Sequence, residues 1–269
     1  MKRTAFFLLL LSSFSGIAAP PPDQIDVGKL PSQTKMINRV IVPVPHEVFA
    51  VLDRIGRPNW KGVLNKSVSK ARPGGETAHV ALTLGTIIGE GFIAVEAEDE
   101  ETVKNLGRSI LTFSEALGVK KAVVRRANSI IEFADKKDWM SVRRELDGAL
   151  NDVKQAMQEI NSESLSHLVS VGGWLRGTDA LADVVASTYS IQGADLLCQP
   201  GLLSYFDKEL AAVKPRLRND PLVVRVREGL DKIRPIMHRA EGDKLTKKEV
   251  KEISEITSDL VKLIQNTAR

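Results

Sequence analysis

The sequence predicts an all-α protein: one multi-helix, bundle-like domain of about eight or nine helices, after a signal peptide and a proline-rich leader. Apolar residues recur at spacings of three and four along most of the chain, as they do on one face of a helix. Strict alternation of apolar and polar residues, which is typical of half-buried strands, is not sustained anywhere. The chain has 269 residues, 43% hydrophobic and 27% charged, so it is long and apolar enough to bury a core.

The first 18 residues are typical of a secretory signal peptide. A basic start at Lys2 and Arg3 precedes an apolar run over residues 5–15, and small residues such as Ala18 follow it. The run is shorter than the roughly 20 residues that a membrane-spanning helix needs. We place the cut after Ala18, because a cut one residue later would put Pro20 directly after the scissile bond. The sequence therefore predicts a secreted protein, periplasmic or extracellular; the alternative is an uncleaved anchor.

Residues 19–44 are predicted to form an extended, proline-rich leader. Six of the twelve prolines lie in residues 19–45, and a proline inside a helix removes a hydrogen bond and clashes with the preceding turn. The all-helical domain is placed at residues 45–269. Its first short helix is expected to begin at Pro45 and end at Gly56, since proline favours a first turn and glycine follows helix ends.

Residues 77–97 are predicted to form the central helix of the bundle. They are apolar on nearly every side, which is typical of a buried helix. The segment 78–95 is also near the lower length limit for crossing a membrane. However, Glu90 interrupts it, acidic residues follow it, and no basic cluster flanks it. We therefore expect a buried core helix and no integral membrane insertion.

Residues 100–161 are predicted to form three helices that run up, down and up. Asp99 and Asp138 each stand directly before a periodic apolar run, in the position of a helix N-cap. Gly118 is placed to end the first helix. The links near residues 118 and 137 are very short, and short links make consecutive helices antiparallel neighbours.

Four further helices are predicted in the rest of the chain, at residues 164–189, 201–213, 221–238 and 246–267. Prolines and Gly242 separate them. The last helix begins with a capping box, in which Thr246 and Glu249 cap each other's backbone. Its polar face mixes lysines with acidic residues, which favours packing on the protein over binding to a membrane surface.

Two glycine-rich segments fall inside predicted apolar helices; their glycines are Gly85, Gly89 and Gly91, and Gly172, Gly173 and Gly177. A glycine in a helix interior costs about 0.5–1 kcal/mol relative to alanine, so three in one short segment need a compensating reason. We favour close backbone packing, in which a small-x-x-x-small face at 85/89 crosses one at 173/177. The alternatives are a helix break or hinge at residues 172–173, and room for a ligand against bare backbone.

Charged residues in these segments lead to a specific hypothesis. Glu90 is the only acidic residue between residues 77 and 95, and Arg176 lies in the other glycine-rich segment. A carboxylate on an apolar helix must find a partner or take up a proton. We therefore predict a buried Glu90–Arg176 pair at a helix crossing; the alternative places Glu90 at a solvent-facing edge. Asp179 and Asp183 share a helix face beyond Arg176, and we favour a solvated face or an arginine partner over acid–base chemistry.

The sequence carries none of the common motifs of hydrolases, metalloproteases, nucleotide-binding proteins or haem proteins. Cys198 is the only cysteine, which excludes an internal disulfide and a multi-cysteine metal site. Glu163 and His167, four residues apart, are a weak metal signal that we interpret as a surface pair. No metal and no cofactor is predicted. Without Lys2 and Arg3 the net charge falls from +4 to +2, which argues against a nucleic-acid partner.

Three classes of function stay open. We favour an exported, non-catalytic helical protein that acts through protein–protein contacts, with an unknown protein partner or a second copy. The second class is a binding module for a small apolar or amphiphilic ligand, in a cavity lined by Leu84, Ile88 and Trp174. The third is an enzyme of unrecognised type, in which Glu90, Arg176, Asp179 or Asp183 would converge in one accessible cleft. The candidate ligand-binding residues are Glu90, Trp174, Arg176 and Asp179.

Overall fold

The structure is a computed structural model, and it describes residues 35–37, 40–42, 58–239 and 243–266. By compactness the chain divides into Met1–Gln33 and Thr34–Arg269, and every described residue belongs to the second unit. The predicted signal peptide, most of the predicted leader and the predicted helix at residues 45–56 lie outside the described residues, so they stay predictions.

The described part of the chain is built from helices, which confirms the all-α fold class. The helices are α1 Thr77–Glu96, α2 Glu100–Ala116, α3 Lys120–Asp135, α4 Trp139–Glu159, α5 Glu163–Ser187, α6 Ile191–Asp195, α7 Pro200–Ala212, α8 Pro215–Arg218, α9 Pro221–Met237 and α10 Lys247–Asn266. Eight of these described helices have at least 13 residues, in agreement with the predicted eight or nine.

Several short elements were not predicted. Two three-residue strands, β1 Lys35–Ile37 and β2 Val40–Val42, pair antiparallel with Lys35 opposite Val42. They fall in the predicted leader, where extended backbone was expected but a run of three residues is too short to show alternation. Two 3₁₀ turns, Trp60–Val63 and Val68–Lys70, and the short helices α6 and α8 were also missed, because one turn of helix has no measurable period.

The capping residues act as predicted. Asp99 accepts a hydrogen bond from the backbone of Thr102 at 2.9 Å, and Asp138 accepts one from Ser141 at 3.1 Å. Gly118 follows α2 with a φ of 75°, a left-handed conformation that glycine adopts without steric cost. Consecutive helices α2, α3 and α4 pack against one another through links of three residues, so the chain reverses at each link.

Helix α1 forms the centre of the domain. It packs most extensively against α5 and also contacts α2, α4 and α10. Seventeen of its 20 residues are buried, because neighbours cover it on every side. By length and composition α1 could cross a membrane, and 94% of its most apolar window is buried inside the protein. The predicted buried core helix is therefore confirmed. At the other end of the chain, Thr246 and Glu249 form the predicted capping box of α10.

Candidate functional site

Helices α1 and α5 cross with their backbones in contact. A Cβ atom on Gly85 would lie 2.1 Å from the carbonyl oxygen of Val169, and one on Gly172 would lie 2.1 Å from that of Leu82. Neither position has room for a side chain of any size. Close backbone packing, the favoured reason for the glycines, is therefore confirmed. The alternative of a break at residues 172–173 is wrong, since α5 continues through them.

The predicted contact face of α5 was 173/177. Gly173 lies in the contact with α1, and Gly177 does not. A Cβ atom on Gly177 would meet nothing within 4 Å, whereas one on Gly89 would lie 3.2 Å from the Cβ of Arg176. The contacting positions of α5 are thus Gly172, Gly173 and, one turn later, Arg176. The absence of a side chain at Gly89 leaves space for the arginine stem to pass over α1.

Arg176 and Glu90 form the buried ion pair that the sequence predicted. The Nε atom of Arg176 donates a hydrogen bond to Oε2 of Glu90, and the two side chains are 1% and 0% exposed. The pair sits next to the glycine contact, which brings α1 and α5 close enough for the short bridge between them. The alternative of Glu90 at a solvent-facing edge is wrong.

A segment outside the helices completes the partners of this pair. Residues 62–67, which we call the strap, run between the buried side chains of Trp60 and Val68. The backbone nitrogen of Asn65 donates to Oε1 of Glu90 at 2.7 Å, and the carbonyl oxygen of Val63 accepts from Nη2 of Arg176 at 2.5 Å. The sequence does not reveal the strap, because the strap has no apolar periodicity. The one signal was chemical: a buried carboxylate needs more than one partner.

A cleft of about 500 Å³ opens beside the ion pair. One wall is the strap, the second consists of α5 residues including Arg176, Asp179 and Asp183, and the third is formed by Ser254 and Ser258 of α10. Hydroxyl, amide and carboxylate groups dominate this lining. The convergence of Arg176, Asp179 and Asp183 in one accessible cleft, with Glu90 bonded directly beneath it, is the arrangement that the enzyme class required.

Burial sets the electrostatics of the cleft. It raises the pKa of Asp179 to about 6, against the lowering effect of Arg176, and the charges of Asp183 and Glu90 raise it further. Burial also raises the pKa of Glu90, while the charge and hydrogen bond of Arg176 and the backbone of Asn65 oppose that rise. Arg176 bonds Oδ2 of Asp179 through Nη1 at 3.0 Å. With this pKa, Asp179 is mostly ionised at neutral pH and takes up a proton when the pH falls below about 6.

Trp174 lies outside this site. Its Nε1 atom donates to Oε1 of Gln199 at 2.9 Å, and its ring packs against Phe206 with centroids 5.5 Å apart. Two residues along a helix correspond to a rotation of about 200°, so Trp174 and Arg176 leave α5 in nearly opposite directions. Leu84 and Ile88 are buried in the core and do not line the cleft. The predicted apolar lining is therefore not that of this cleft.

The weaker sequence signals have local explanations. His167 pairs with Glu209 at 2.9 Å instead of Glu163, and burial lowers the pKa of His167. Within the described residues, no cluster of three or more histidine, cysteine or acidic side chains is placed to hold a metal ion. Burial, followed by the charge of Asp195, raises the pKa of Cys198, so its thiol is less reactive than an ordinary one.

Comparison of the chain with protein-family models, curated proteins and solved structures finds no match.

Proposed function

We propose that this is an exported, non-catalytic binding protein that acts through contacts with a partner protein, and that the cleft beside the Glu90–Arg176 pair is its recognition site. The observation that carries the proposal is the convergence of Arg176, Asp179 and Asp183 in one polar cleft on a rigid helix crossing. Polar groups on a fixed scaffold favour recognition, because little ordering is needed on binding.

The α5 wall of the cleft offers negative charge to a partner, while Lys66 of the strap adds one positive charge to the lining. Arg176 uses its guanidinium within the protein, on Glu90, Asp179 and the carbonyl of Val63. The carboxylates of Asp179 and Asp183 then face the cleft together with the hydroxyls of Ser254 and Ser258. Carboxylates and hydroxyls are acceptors for an ammonium group. We therefore propose that a lysine side chain of the partner enters the cleft.

An acid–base enzyme at the same cleft is the second candidate. A pKa of about 6 suits Asp179 to exchange a proton near neutral pH, and Asp183 lies one turn away on the same helix. The binding role is the better supported of the two, because the hydrogen bonds found at the site hold the strap and the two helices together. A small apolar ligand fits the polar lining of this cleft less well than a charged side chain.

The test is an NMR titration of the mature chain with the peptide acetyl-Gly-Lys-Gly-amide. Amide shifts are expected at Asn65, Asp179 and Ser258, which line the cleft. The same peptide with norleucine in place of lysine has the same stem without the charge, and it is expected to leave these signals in place. Asp183→Asn is expected to weaken binding about three- to fivefold, the contribution of a partly exposed ion pair.

Glu132→Gln is the matched control, because Glu132 is an exposed carboxylate on α3 that pairs with Lys136 away from the cleft lining. It is expected to bind the peptide as the unmodified chain does. Equal shifts with the lysine and norleucine peptides, or equal weakening by Glu132→Gln and Asp183→Asn, would overturn the proposed recognition of an ammonium group.

A further inference from the structure

We propose that the strap is a movable wall: residues 62–67 open and close as one unit between the buried anchors Trp60 and Val68, and closure onto the Glu90–Arg176 pair completes the cleft. The inference concerns the free protein. It rests on the proposed function only for the purpose that the movement serves, and it is tested without a ligand.

The middle of the strap is attached to the Glu90–Arg176 pair. Val63 and Asn65 hold its middle, and both bond to the same ion pair. The amide of the Asn65 side chain adds a longer bond of 3.4 Å to Gln265. All six strap residues are half-buried or exposed, in contrast to Trp60 and Val68 at 5% and 0%. Segments with little buried apolar surface open at a lower free-energy cost than the core.

The attachments of Val63 and Asn65 to the helices depend on one pair of charges, which couples these two attachments. If Asn65 leaves Glu90, the carboxylate gains water, and its attraction for the guanidinium that holds Val63 weakens. Loss of one attachment therefore favours loss of the other. Rehydration of a buried ion pair offsets part of the cost of opening, since desolvated charges regain their hydration.

Opening of the strap leaves the helix crossing intact. The contacts of Gly85 and Gly172 involve only α1 and α5. The α5 and α10 walls of the cleft therefore stay in place while the third wall leaves. The cleft has its present shape only when the strap is closed, since strap residues form a large part of its lining.

Amide hydrogen exchange of the mature chain tests this directly. The amides of Val63, Leu64 and Asn65 are expected to share one opening free energy that does not change at low urea concentration. The amides of α1 residues 80–88 are expected to need global unfolding, which urea promotes. Unrelated free energies for the three strap amides, or exchange of the strap only with α1, would overturn the proposal.

A pair of variants at one position isolates the attachment. Asn65→Ala and Asn65→Pro both remove the side-chain bond to Gln265, and only the proline removes the N–H that bonds Glu90. Leu64, with φ −63° and ψ 131°, already has the extended conformation that a following proline requires. In Asn65→Pro, the amides of Val63 and Leu64 are expected to exchange about tenfold faster than in Asn65→Ala, because only the proline variant loses the hydrogen bond to Glu90.

Glu90→Gln provides an independent check through the charge of the pair. It is expected to speed exchange in the strap more than in α1 residues 80–88. Glu96→Gln, the control on the same helix, removes the charge that faces Arg143 of α4 and is expected to leave strap exchange unchanged. Equal rates for Asn65→Ala and Asn65→Pro, or an equal effect of the two glutamine variants on the strap, would overturn the proposal.

Discussion

The three carboxylates at the site differ in burial and in the number of hydrogen-bond donors that they meet. Glu90 is fully buried and shares its two oxygens between Arg176 and the strap. Asp179 is mostly buried and bonds only one nitrogen of Arg176, while Asp183 is exposed. Their differences follow from burial and the number of donors, because each donor stabilises the ionised form and burial opposes it. Asp179, with a pKa of about 6, changes its charge near neutral pH.

Asp179→Asn is expected to change how stability depends on pH. The folded-state pKa of about 6 lies above the ordinary value of 3.8, so the folded protein binds a proton more tightly than the unfolded chain. The stabilisation is therefore present below about pH 4 and is lost as pH rises through 6. Relative to the unmodified chain, the variant is expected to gain up to about 3 kcal/mol between pH 4 and pH 7. Urea unfolding at both pH values measures this difference.

The control for that measurement is Asp183→Asn, which removes a nearby exposed charge. It is expected to show a much smaller change between the two pH values, since Asp183 is exposed. A difference between Asp179→Asn and the unmodified chain that is constant with pH, or that grows toward acid pH, would show that Asp179 does not carry this proton.

Arg176→Met is expected to lower the free energy of unfolding by about 3–5 kcal/mol, because it leaves Glu90 as an unpaired buried charge. The double variant Glu90→Met with Arg176→Met is expected to be more stable than Arg176→Met alone, since no buried charge remains. Urea unfolding of these two variants and of Glu90→Met completes a double-mutant cycle for the pair. Additive losses would mean that the two side chains do not interact in solution.

At the scale of the element, the crossing of α1 and α5 determines where the site lies. The sequence predicted the helices, their caps, the close packing of Gly85 and Gly89, and the Glu90–Arg176 pair, because period, capping and charge are local signals. It wrongly predicted Gly177 as the second contact position of α5 after Gly173; Arg176 occupies that place. The rotation of one helix against another depends on the packing of whole surfaces, which local spacing does not determine.

Alanine substitutions in the crossing are expected to differ sharply by position. Gly85→Ala and Gly172→Ala would each force a Cβ atom to 2.1 Å from a backbone oxygen, so we expect losses of about 3 kcal/mol or more. Gly177→Ala meets open space in the same helix and is expected to stabilise the protein by about 0.5–1 kcal/mol. Thermal unfolding of the three variants checks the order; a neutral Gly172→Ala would contradict the backbone contact.

At the scale of the whole molecule, the fold was more predictable than the site. Long amphipathic helices and a buried α1 follow from apolar periodicity, and burial of α1 confirms that interpretation. The walls of the cleft were not predicted, although the third class of function required Arg176, Asp179 and Asp183 to share one cleft. It forms where the strap, α5 and α10 meet, at residues 62–67, 176–183 and 254–258, and no local pattern links positions so far apart in the sequence. Trp174 was a candidate by proximity in sequence alone.

One measurement on the whole chain tests the predicted export. Expressed from its first residue in a bacterial host, the protein is expected in the periplasmic extract with a mass that begins at residue 19, because residues 1–18 have the layout of a cleaved signal peptide. Replacing leucines 8–11 with serine is the control and is expected to keep the chain in the cytoplasm. Recovery of the full mass from the membrane fraction would instead indicate an uncleaved anchor.

The backbone contact between α1 and α5 also gives the molecule an internal reference frame. Two helices that touch without intervening side chains have no rotamers to rearrange, so their separation changes little when residues nearby are replaced. A spin label on the exposed Ser187 at the end of α5 would therefore be stationary. The distance between it and a second label at the exposed Lys66 would therefore change only when the strap moves.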